Sequence, residues 1–552
     1  MVSLFDNYDA VVLDVSLCFS SLSDSDALFE ALKIFEENEG VLFQSPAFLV
    51  EFDALINVVN SELVETANAY MERINMFNIE SFPQKELGGG CDCSSLVVRL
   101  ISEDIDVAIV TTDKLLIERL ILNNIQVSII NPTNAENPLI IPSDFEDYKI
   151  KSDVLATEQP IPIIHTHIIE GDSLYCGEDG STVTLTKVYN NGGKDAIIYE
   201  CDRAGVVAKI FNEGHLTDTK LQNIKDFMNF NKNLTWLAYP LDILYSTALT
   251  SDASKSNCPV GYLMVKIDDV TAIGIEELFV GDLDVVFYEN YKDIKPSYVA
   301  EICIAVVRQI VYLHMNGILF GDFNGGNFAL KNDRSTDYVV FFDVDGYGYK
   351  KNLVVSGAAE WENPRKYNRD DKREFLRAEY DNLCIVIFRW LMLGMPPFVN
   401  AEYYDWHNET EERKARWALI PVPLQVLFNK VFKDGKLVTP TELLFTLEKA
   451  HTTMKSQPSY SKHFTKFLEE GDDPPTPSGD LEDIFSNWSG TSSSFDQPPP
   501  KKSMPTALKI AIAVIIVIVI FFIVFALMSG GSTPEGASSV GGIFIIEEFS
   551  QI

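Results

Sequence analysis

The apolar run at residues 507–528 constrains the organisation of this 552-residue chain more than any other feature. It holds 22 residues and a single charge, Lys509, close to its start. As a helix it would be roughly 33 Å long, which matches the hydrocarbon core of a bilayer. A helix in the core of a soluble protein normally carries a polar face, and this run has none. The sequence therefore predicts a single C-terminal transmembrane helix.

The flanks of this run predict its orientation. Lys501, Lys502 and Lys509 lie at its N-terminal end, whereas the 24 residues of the tail, 529–552, contain no Lys or Arg. Positive residues favour the cytoplasmic side of a membrane. No basic segment precedes an apolar one at the N-terminus, so no signal peptide is predicted. We expect a single-pass membrane protein with residues 1–505 in the cytoplasm and a short extracytoplasmic tail.

The segment before the apolar run, residues 457–505, has the composition of a disordered linker. Residues 467–500 hold eight Asp or Glu and no Lys or Arg, together with many Pro, Ser and Gly. Such a segment repels itself and cannot bury a core. The whole chain carries a formal charge of −36. This charge argues against non-specific binding to the phosphate backbone of a nucleic acid, which requires a basic surface.

Residues 1–130 alternate apolar strands with amphipathic helices. The stretches "DAVVLDV" and "DVAIVTTD" are predicted strands that end in Asp14 and Asp113, and helical patterns follow both. The alternation predicts an α/β domain with a mostly parallel sheet. Glu51 is predicted within a helix, and Asp92 in the first turn of another. Open α/β sheets place their sites at the carboxyl ends of strands, so we expect these carboxylates to gather there.

Four carboxylates on separate elements suit Mg²⁺ or Mn²⁺. The alternative is that Asp92 caps a helix, Asp113 closes a turn and Glu51 is a solvated charge. The motifs "DVS" at Asp14 and "AIVTTDKLL" resemble those of the PIN domain, a family of metal-dependent ribonucleases. The resemblance implies that Asp14, Glu51, Asp92 and Asp113 bind the metal, that Ser16 assists, and that RNA is a partner. The segment shows no basic groove for RNA, so binding of metal or protein without cleavage is the alternative.

Residues 166–456 follow a connecting segment, residues 131–165, and change from β-rich to helical at about residue 268. In the β-rich part, "GVVAKIF" is a predicted strand whose one cation is Lys209. A buried lysine destabilises a fold unless an anion is paired with it. The alternative is an edge-strand lysine whose ammonium reaches water.

In the helical part, a long apolar helix leads into "GDFNGGN". Asp322 and Asn327 lie five residues apart there, and the strand in "YVVFFDVDG" then ends at Asp343. In phosphoryl transfer, a lysine neutralises phosphate oxygens, an Asp orients the acceptor hydroxyl, and an Asn with a second Asp holds Mg²⁺. The order of these residues fits such a site.

These motifs resemble those of the protein kinase superfamily. The resemblance implies a bilobal α+β fold over residues 166–456, with ATP and Mg²⁺ as cofactors and protein hydroxyls as acceptors. It assigns Lys209 and Asp322 to catalysis, and Asn327 with Asp343 to the metal. Other positions implied by the resemblance are Gly192 and Gly193 over the phosphates, Met264 near the adenine hinge, Asp345 as an alternative register for Asp343, and Asp381 as the buried anchor of the catalytic loop.

Departures from the kinase pattern keep an inactive pseudokinase as the alternative. Gly321 stands where an arginine normally precedes the catalytic Asp, and the glycine loop is reduced. The helix "LTDTKLQNIKDFM" has no Glu to pair with Lys209, which leaves Asp218 and Gln222 as candidates. The presence of lysine, both aspartates and asparagine favours an active enzyme.

Near the end of this region, "TPTE" predicts the start of a helix. Thr439 and Glu442 have the spacing of a capping box, and Pro440 occupies the first helical position.

Three hypotheses for function follow from the sequence. The first is a membrane-anchored Ser/Thr protein kinase with a PIN-like metal-binding domain. The second is a PIN-type ribonuclease that depends on Mg²⁺ or Mn²⁺ and is regulated by an ATP-binding pseudokinase. The third is a non-catalytic signalling scaffold at a membrane.

Overall fold

The structure is a computed structural model and describes most of residues 4–457. Not described within that range are residues 21, 23–24, 89, 134–138, 141–167, 191–194, 231–233, 247–257, 268–271, 275–294, 324–326, 332–338, 350–363, 366, 368–371, 400–401 and 406–408. The predicted transmembrane helix, the tail and all but the first residue of the linker lie outside the described residues. One described helix, Pro296–Met315, is long and apolar enough to cross a membrane, and its apolar window is 83% buried within the protein.

The N-terminal region contains a six-stranded sheet with the order β3-β2-β1-β4-β5-β6. Its strands are β1 Ala10–Leu13, β2 Val41–Gln44, β3 Ile79–Glu80, β4 Val107–Val110, β5 Ser128–Ile130 and β6 Leu139–Ile140. Five strands are parallel, and β6 pairs antiparallel with β5. Every residue of β1 and β4 is buried, as expected for central parallel strands covered on both faces. The predicted α/β domain with a mostly parallel sheet is confirmed.

Helices in this region begin at two of the carboxylates that the sequence singled out. The helices are α1 Ser25–Glu37, α2 Phe48–Leu55, α3 Ser61–Ile74, α4 Cys93–Ser102 and α5 Lys114–Leu122. Asp92 caps α4 by accepting from the Ser95 amide at 3.0 Å, and Asp113 caps α5 by accepting from the Leu116 amide at 2.9 Å. A carboxylate at this position satisfies an amide that has no partner within the helix. Both residues therefore have a capping role.

The β-rich region is a closed barrel of six strands with the order β10-β12-β11-β7-β8-β9, and all its pairs are antiparallel. The strands are β7 Ser173–Cys176, β8 Thr182–Asn190, β9 Ala196–Cys201, β10 Val206–Phe211, β11 Pro240–Tyr245 and β12 Pro259–Val265. Helix α6, Asp218–Met228, connects β10 to β11 in the chain. Lys209 lies in β10 opposite Ile198 of β9 and Tyr262 of β12. The lysine is therefore on a doubly paired strand and not on an edge.

The remaining region is mainly helical, as the sequence predicts. Its helices are α7 Pro296–Met315, α8 Lys372–Leu391, α9 Glu411–Leu419, α10 Val422–Phe428 and α11 Pro440–Met454. Short strands lie among them: β13 Ala272–Gly274, β14 Ile318–Leu319, β15 Phe328–Lys331, β16 Val339–Phe341, β17 Gly348–Tyr349, β18 Phe398–Val399 and β19 Glu402–Tyr403. The predicted start of α11 is confirmed, because Thr439 accepts from the Glu442 amide at 3.2 Å and Pro440 is the first helical residue.

The N-terminal region and the rest of the described chain belong to one compact unit. Helices α2 and α5 pack against α7, and α2 also packs against α11. The buried Trp236 indole donates a hydrogen bond of 2.7 Å to the Val58 carbonyl, which lies just after α2. An apolar contact joins Phe445 of α11 to Ala47 and Cys91. The α/β region is thus attached to the helical region by helix packing and an apolar contact, and to the segment between α6 and β11 by the Trp236 hydrogen bond.

Candidate functional site

Lys209 is buried, and its ammonium forms ion pairs with two carboxylates. One pair is with Asp343, and the other joins its Nζ to Asp345 Oδ1 at 2.5 Å. Burial alone would lower the pKa of this ammonium, but Asp345 and Asp343 outweigh burial and hold its pKa above the usual value. The structure thus shows a paired, charged lysine rather than one that reaches water.

Asp345 is the buried partner of this lysine, with only 4% of its side chain exposed. The Tyr262 hydroxyl donates to Asp345 Oδ1 at 2.9 Å, and Lys220 Nζ lies 4.0 Å from Asp345 Oδ2. Burial raises the pKa of this carboxyl, yet Lys209 and then Lys220 more than offset burial, so its pKa is lowered to about 2. Asp345 is therefore a fixed anion that orients Lys209.

Asp343 is the more accessible of the two carboxylates, with 39% of its side chain exposed. It follows β16 and has a left-handed backbone, with φ +59°, before the short helical turn Val344–Gly346. Non-glycine residues rarely adopt this conformation, and those that do are common at functional sites. Burial and the charge of Asp345 raise the pKa of Asp343 to about 6, although Lys209 opposes them. Of the two registers predicted from the sequence, Asp343 presents the open carboxylate.

Asp322 and Asn327 close a loop next to this cluster. The Asn327 side-chain amide donates to the Asp322 carbonyl at 3.0 Å, and the Phe342 amide donates to the Asn327 carbonyl at 2.9 Å. The loop is therefore joined directly to the residue before Asp343. Asn327 and Asp343 carry oxygen donors of the kind that Mg²⁺ prefers, and Asp343 is the more exposed of the two carboxylates that pair with Lys209. The donor chemistry of these two residues fits a Mg²⁺ ion.

Glu379 anchors the segment that leads into Asp322. Its carboxylate is buried and accepts from the Phe320 amide at 2.7 Å and from the Gly321 amide at 3.1 Å. It also shares a hydrogen bond of 3.0 Å with His314 Nε2. The sequence analysis missed this residue.

The predicted anchor, Asp381, has other partners, so that assignment is wrong. Its carboxylate forms an ion pair of 2.9 Å with Arg365 and accepts from the Tyr367 hydroxyl. Residues two apart on a helix point to different sides, so Glu379 and Asp381 cannot serve the same loop. The sequence shows two acids in one apolar helix, and this pattern indicates that one of them anchors the loop. It does not show which of the two faces the loop.

Helix α6 does not supply the partner of Lys209 through either predicted residue. Gln222 donates to Asp226 at 3.0 Å along the helix surface, and Asp218 lies in the first turn. The residues of α6 that face the site are Lys220 and Asn223, whose side-chain amide donates to the Tyr347 carbonyl at 2.9 Å. The role predicted for an acid on α6 is taken by Asp345.

The structure does not test the nucleotide contacts predicted for Gly192, Gly193 and Met264. Gly192 and Gly193 lie outside the described residues. Met264 is buried in β12 opposite Val207 and Pro240, and its contact with adenine stays a prediction.

The structure brings the four N-terminal carboxylates into one neighbourhood. Burial, and then the charge of Asp14, raise the pKa of Glu51 well above its usual value and that of Asp113 to about 7. Asp14 itself accepts hydrogen bonds from Thr111 Oγ1 at 2.8 Å and from the Ser16 hydroxyl. The predicted gathering of these side chains at the carboxyl ends of β1 and β4 is what the structure shows.

The same carboxylates are engaged by other side chains. Asp92 forms an ion pair of 2.8 Å with Arg119 and accepts from Thr439 Oγ1 of the helical region at 3.3 Å. Glu51 accepts from the Thr441 hydroxyl. Burial raises the pKa of Asp92, but Arg119 and hydrogen bonds from Ser95 and Ser94 outweigh it, so its pKa lies below the usual value.

These contacts bear on the predicted metal site. Among the described residues, the set with three ligand atoms within 4.8 Å of one another is Cys176, Asp179 and Asp242 of the barrel. Asp242 there accepts from the backbone amides of a turn. Of the four N-terminal carboxylates, Asp92 already pairs with Arg119 and Glu51 already accepts from Thr441. The PIN-like metal site stays a prediction.

About half of this chain is similar in structure to protein kinase domains. No family model matches the sequence, and no curated protein matches it. The ROP18 kinase domain in complex with AMP-PNP and sucrose is similar over 52% of this chain and 87% of its own, with 15% identity and a TM-score of 0.33. Vaccinia related kinase 3 is similar over 54% of this chain and 95% of its own, with 13% identity and a TM-score of 0.34. Similarity at this level assigns neither an activity nor a substrate.

Proposed function

We propose that the region at about residues 166–456 binds ATP with Mg²⁺ and transfers the γ-phosphoryl group to Ser or Thr hydroxyls of proteins. The observation that carries the proposal is the meeting of Lys209 with Asp343 and Asp345, which are 134 and 136 residues away in sequence. A packing role would not require a buried lysine and two acids beside the Asp322 loop. Phosphoryl transfer in kinases uses a paired lysine, a metal-binding aspartate and a catalytic-loop aspartate.

Each residue has a distinct role in this proposal. Lys209, oriented by Asp345, faces the α/β-phosphates, because its ammonium is fixed and charged within the cluster. Asp343 and Asn327 hold the metal. Bound Mg²⁺ supplies charge neutralisation for the phosphates. Asp322 orients the acceptor hydroxyl and takes its proton.

The sequence supports a membrane location for this activity. In this proposal the apolar run at residues 507–528 anchors the chain, and the acidic residues 457–505 connect it to the phosphoryl-transfer region on the cytoplasmic side. The substrates are therefore proteins near the membrane surface.

The function is tested with the full chain in detergent micelles, labelled ATP, Mg²⁺ and a mixture of unfolded protein substrates. We expect the wild type to label protein, and Lys209→Met and Asp322→Asn to label it at least roughly 100-fold more slowly. Lys266→Met is the matched control, because Lys266 pairs with Glu200 on the barrel at 3.1 Å, outside the cluster.

Binding is measured separately by thermal shift with ATP and Mg²⁺. A ligand at 100 times its Kd stabilises a fold by roughly 2.7 kcal/mol, so a shift is measurable. Asp322→Asn should retain it. Labelling by Asp322→Asn at the wild-type rate overturns the kinase assignment. A shift without labelling by the wild type replaces it with the pseudokinase alternative, and the absence of both overturns nucleotide binding altogether.

A further inference from the structure

Helix α5 of the N-terminal region lies against the segment that leads into Asp322. Lys114 Nζ donates to the Asn316 carbonyl at 3.3 Å. Gly317 has a left-handed backbone, with φ +76°, and a Cβ there would lie 3.0 Å from Lys114 Cδ. The segment therefore turns directly beneath α5, at a position where the backbone and the lysine side chain are close.

An apolar cluster continues this contact. Leu115 of α5 packs with Leu319 of β14 and with two residues of α8, Phe375 and Leu376. All four are buried. Because Leu319 is three residues before Asp322, α5 and α8 together hold this strand from the apolar side.

A polar contact lies at the other end of α5. The Arg119 side chain is only 12% exposed and pairs with Asp92 at 2.8 Å, and it lies beside the Tyr380 hydroxyl, on which its charge acts. The Tyr380 ring lies 5.6 Å from the His314 ring, centroid to centroid. A guanidinium that pairs with Asp92 of the α/β region and lies beside Tyr380 of α8 links the two regions.

Tyr380 is adjacent to Glu379, which binds the Phe320 and Gly321 amides. Arg119 thus fixes the helical turn that carries the anchor of the Asp322 segment. His314, which contacts both Tyr380 and Glu379, completes the link.

We propose that the N-terminal α/β region is a positioning element of the phosphoryl-transfer site, with Arg119 and Tyr380 as positioning residues for the segment 316–322. The expected effect on catalysis rests on the proposed function. The ordering of the backbone at residues 316–322 does not depend on it. The N-terminal carboxylates then serve to bind Arg119 and the first turn of α11. Asp92 makes both of these contacts, an ion pair with Arg119 and a hydrogen bond accepted from Thr439.

The proposal is tested with the full chain carrying Tyr380→Phe or Arg119→Met. The control is Arg99→Met, which removes an ion pair between Arg99 and Glu103 on the surface of the same region. Tyr380→Phe removes one hydroxyl and keeps the ring on His314, so it preserves the fold if Arg119→Met does not. We measure amide hydrogen exchange of peptides covering residues 316–323, with β10 peptides as the internal reference, together with kcat and the KM for ATP.

We expect Tyr380→Phe to accelerate exchange of the Phe320 and Gly321 amides by about tenfold relative to β10, and to lower kcat by a similar factor with an unchanged KM for ATP. A merely structural role would accelerate exchange in β10 equally. Unchanged exchange at residues 316–323 in both variants overturns the proposal. If the wild type transfers no phosphoryl group, the proposed function fails while the exchange result still decides this inference.

Discussion

At the scale of single residues, Asp343 and Asp345 show that the local environment sets the pKa of a carboxyl group. Asp345 is enclosed by Lys209, Tyr262 and Lys220, and its pKa is lowered to about 2. Asp343 is more open on one side, yet burial and the neighbouring anion raise its pKa to about 6. The difference leaves Asp345 as a fixed anion beside Lys209 and Asp343 as the more accessible carboxylate. Sequence spacing alone left the two exchangeable.

Asp113 gives a prediction of pH dependence. Its pKa is raised from 3.8 to about 7, by burial and then by Asp14, so the folded state binds the proton more tightly than the unfolded state. Between these values the unfolded carboxyl is ionised first, and stability falls as the pH rises. Asp113→Asn removes this effect and keeps an oxygen to accept from the Leu116 amide.

We therefore expect Asp113→Asn to stabilise the protein, by an amount that grows by roughly 2 kcal/mol between about pH 5 and pH 8. Urea unfolding at several pH values measures this. Asp106→Asn, at an exposed acid of the same region, controls for the loss of one negative charge. A gain from Asp113→Asn that is independent of pH would contradict the prediction.

At the scale of elements, α11 shows a local motif used partly for a distant contact. The capping box predicted at its start is half formed, because Thr439 accepts from the Glu442 amide as expected. The Glu442 side chain instead pairs with Lys430 at 2.6 Å. The Thr439 hydroxyl also donates to Asp92, and Thr441 donates to Glu51. The first turn of α11 is therefore both a helix cap and an interface with the α/β region.

Phe445 of α11 tests the apolar part of this interface. The side chain is buried against Ala47 and Cys91. Phe445→Ala leaves a cavity there, and we expect it to lower the free energy of unfolding by about 3 kcal/mol. Val426→Ala, at an exposed apolar residue of α10, is the control and should change it by less than about 0.5 kcal/mol. A loss below about 1 kcal/mol for Phe445→Ala would show that α11 does not hold the two regions together.

At the scale of the whole molecule, the α/β region and the helical region share a buried boundary. Its contacts include the Trp236 indole on the Val58 carbonyl, Phe445 on Cys91, and Arg119 on Tyr380. Because the Trp236 indole and Phe445 are buried at this boundary, separation of the regions would expose both of these side chains at once. The two regions are therefore expected to unfold as one unit.

Native-state hydrogen exchange of the full chain measures this cooperativity. We expect the slowest amides of β1 and β4 and those of α7 to exchange with the same free energy of opening and the same dependence on urea. Phe445→Ala should lower both by equal amounts. Exchange of β1 and β4 at a clearly lower free energy than α7 would show that the α/β region opens independently.

Much of the architecture was predictable because it depends on short-range pattern. The apolar strands β1 and β4, the strand around Lys209, and the cap at Thr439 all follow from period and composition. The side chains that pair with Lys209 and anchor the catalytic loop were harder to predict. The sequence proposed Asp218 or Gln222 for Lys209 and Asp381 for the catalytic loop, whereas the structure uses Asp345 and Glu379.

The sequence by itself determined which elements form and which chemical groups they carry, including Lys209, Asp322, Asn327 and Asp343. Only the tertiary structure decided how these groups are paired, which carboxylate stays open, and that Asp92 pairs with Arg119. The reason is physical. Periodicity along the chain encodes which face of an element is buried, but a side chain's partner and its pKa depend on residues more than a hundred positions away that packing brings into contact.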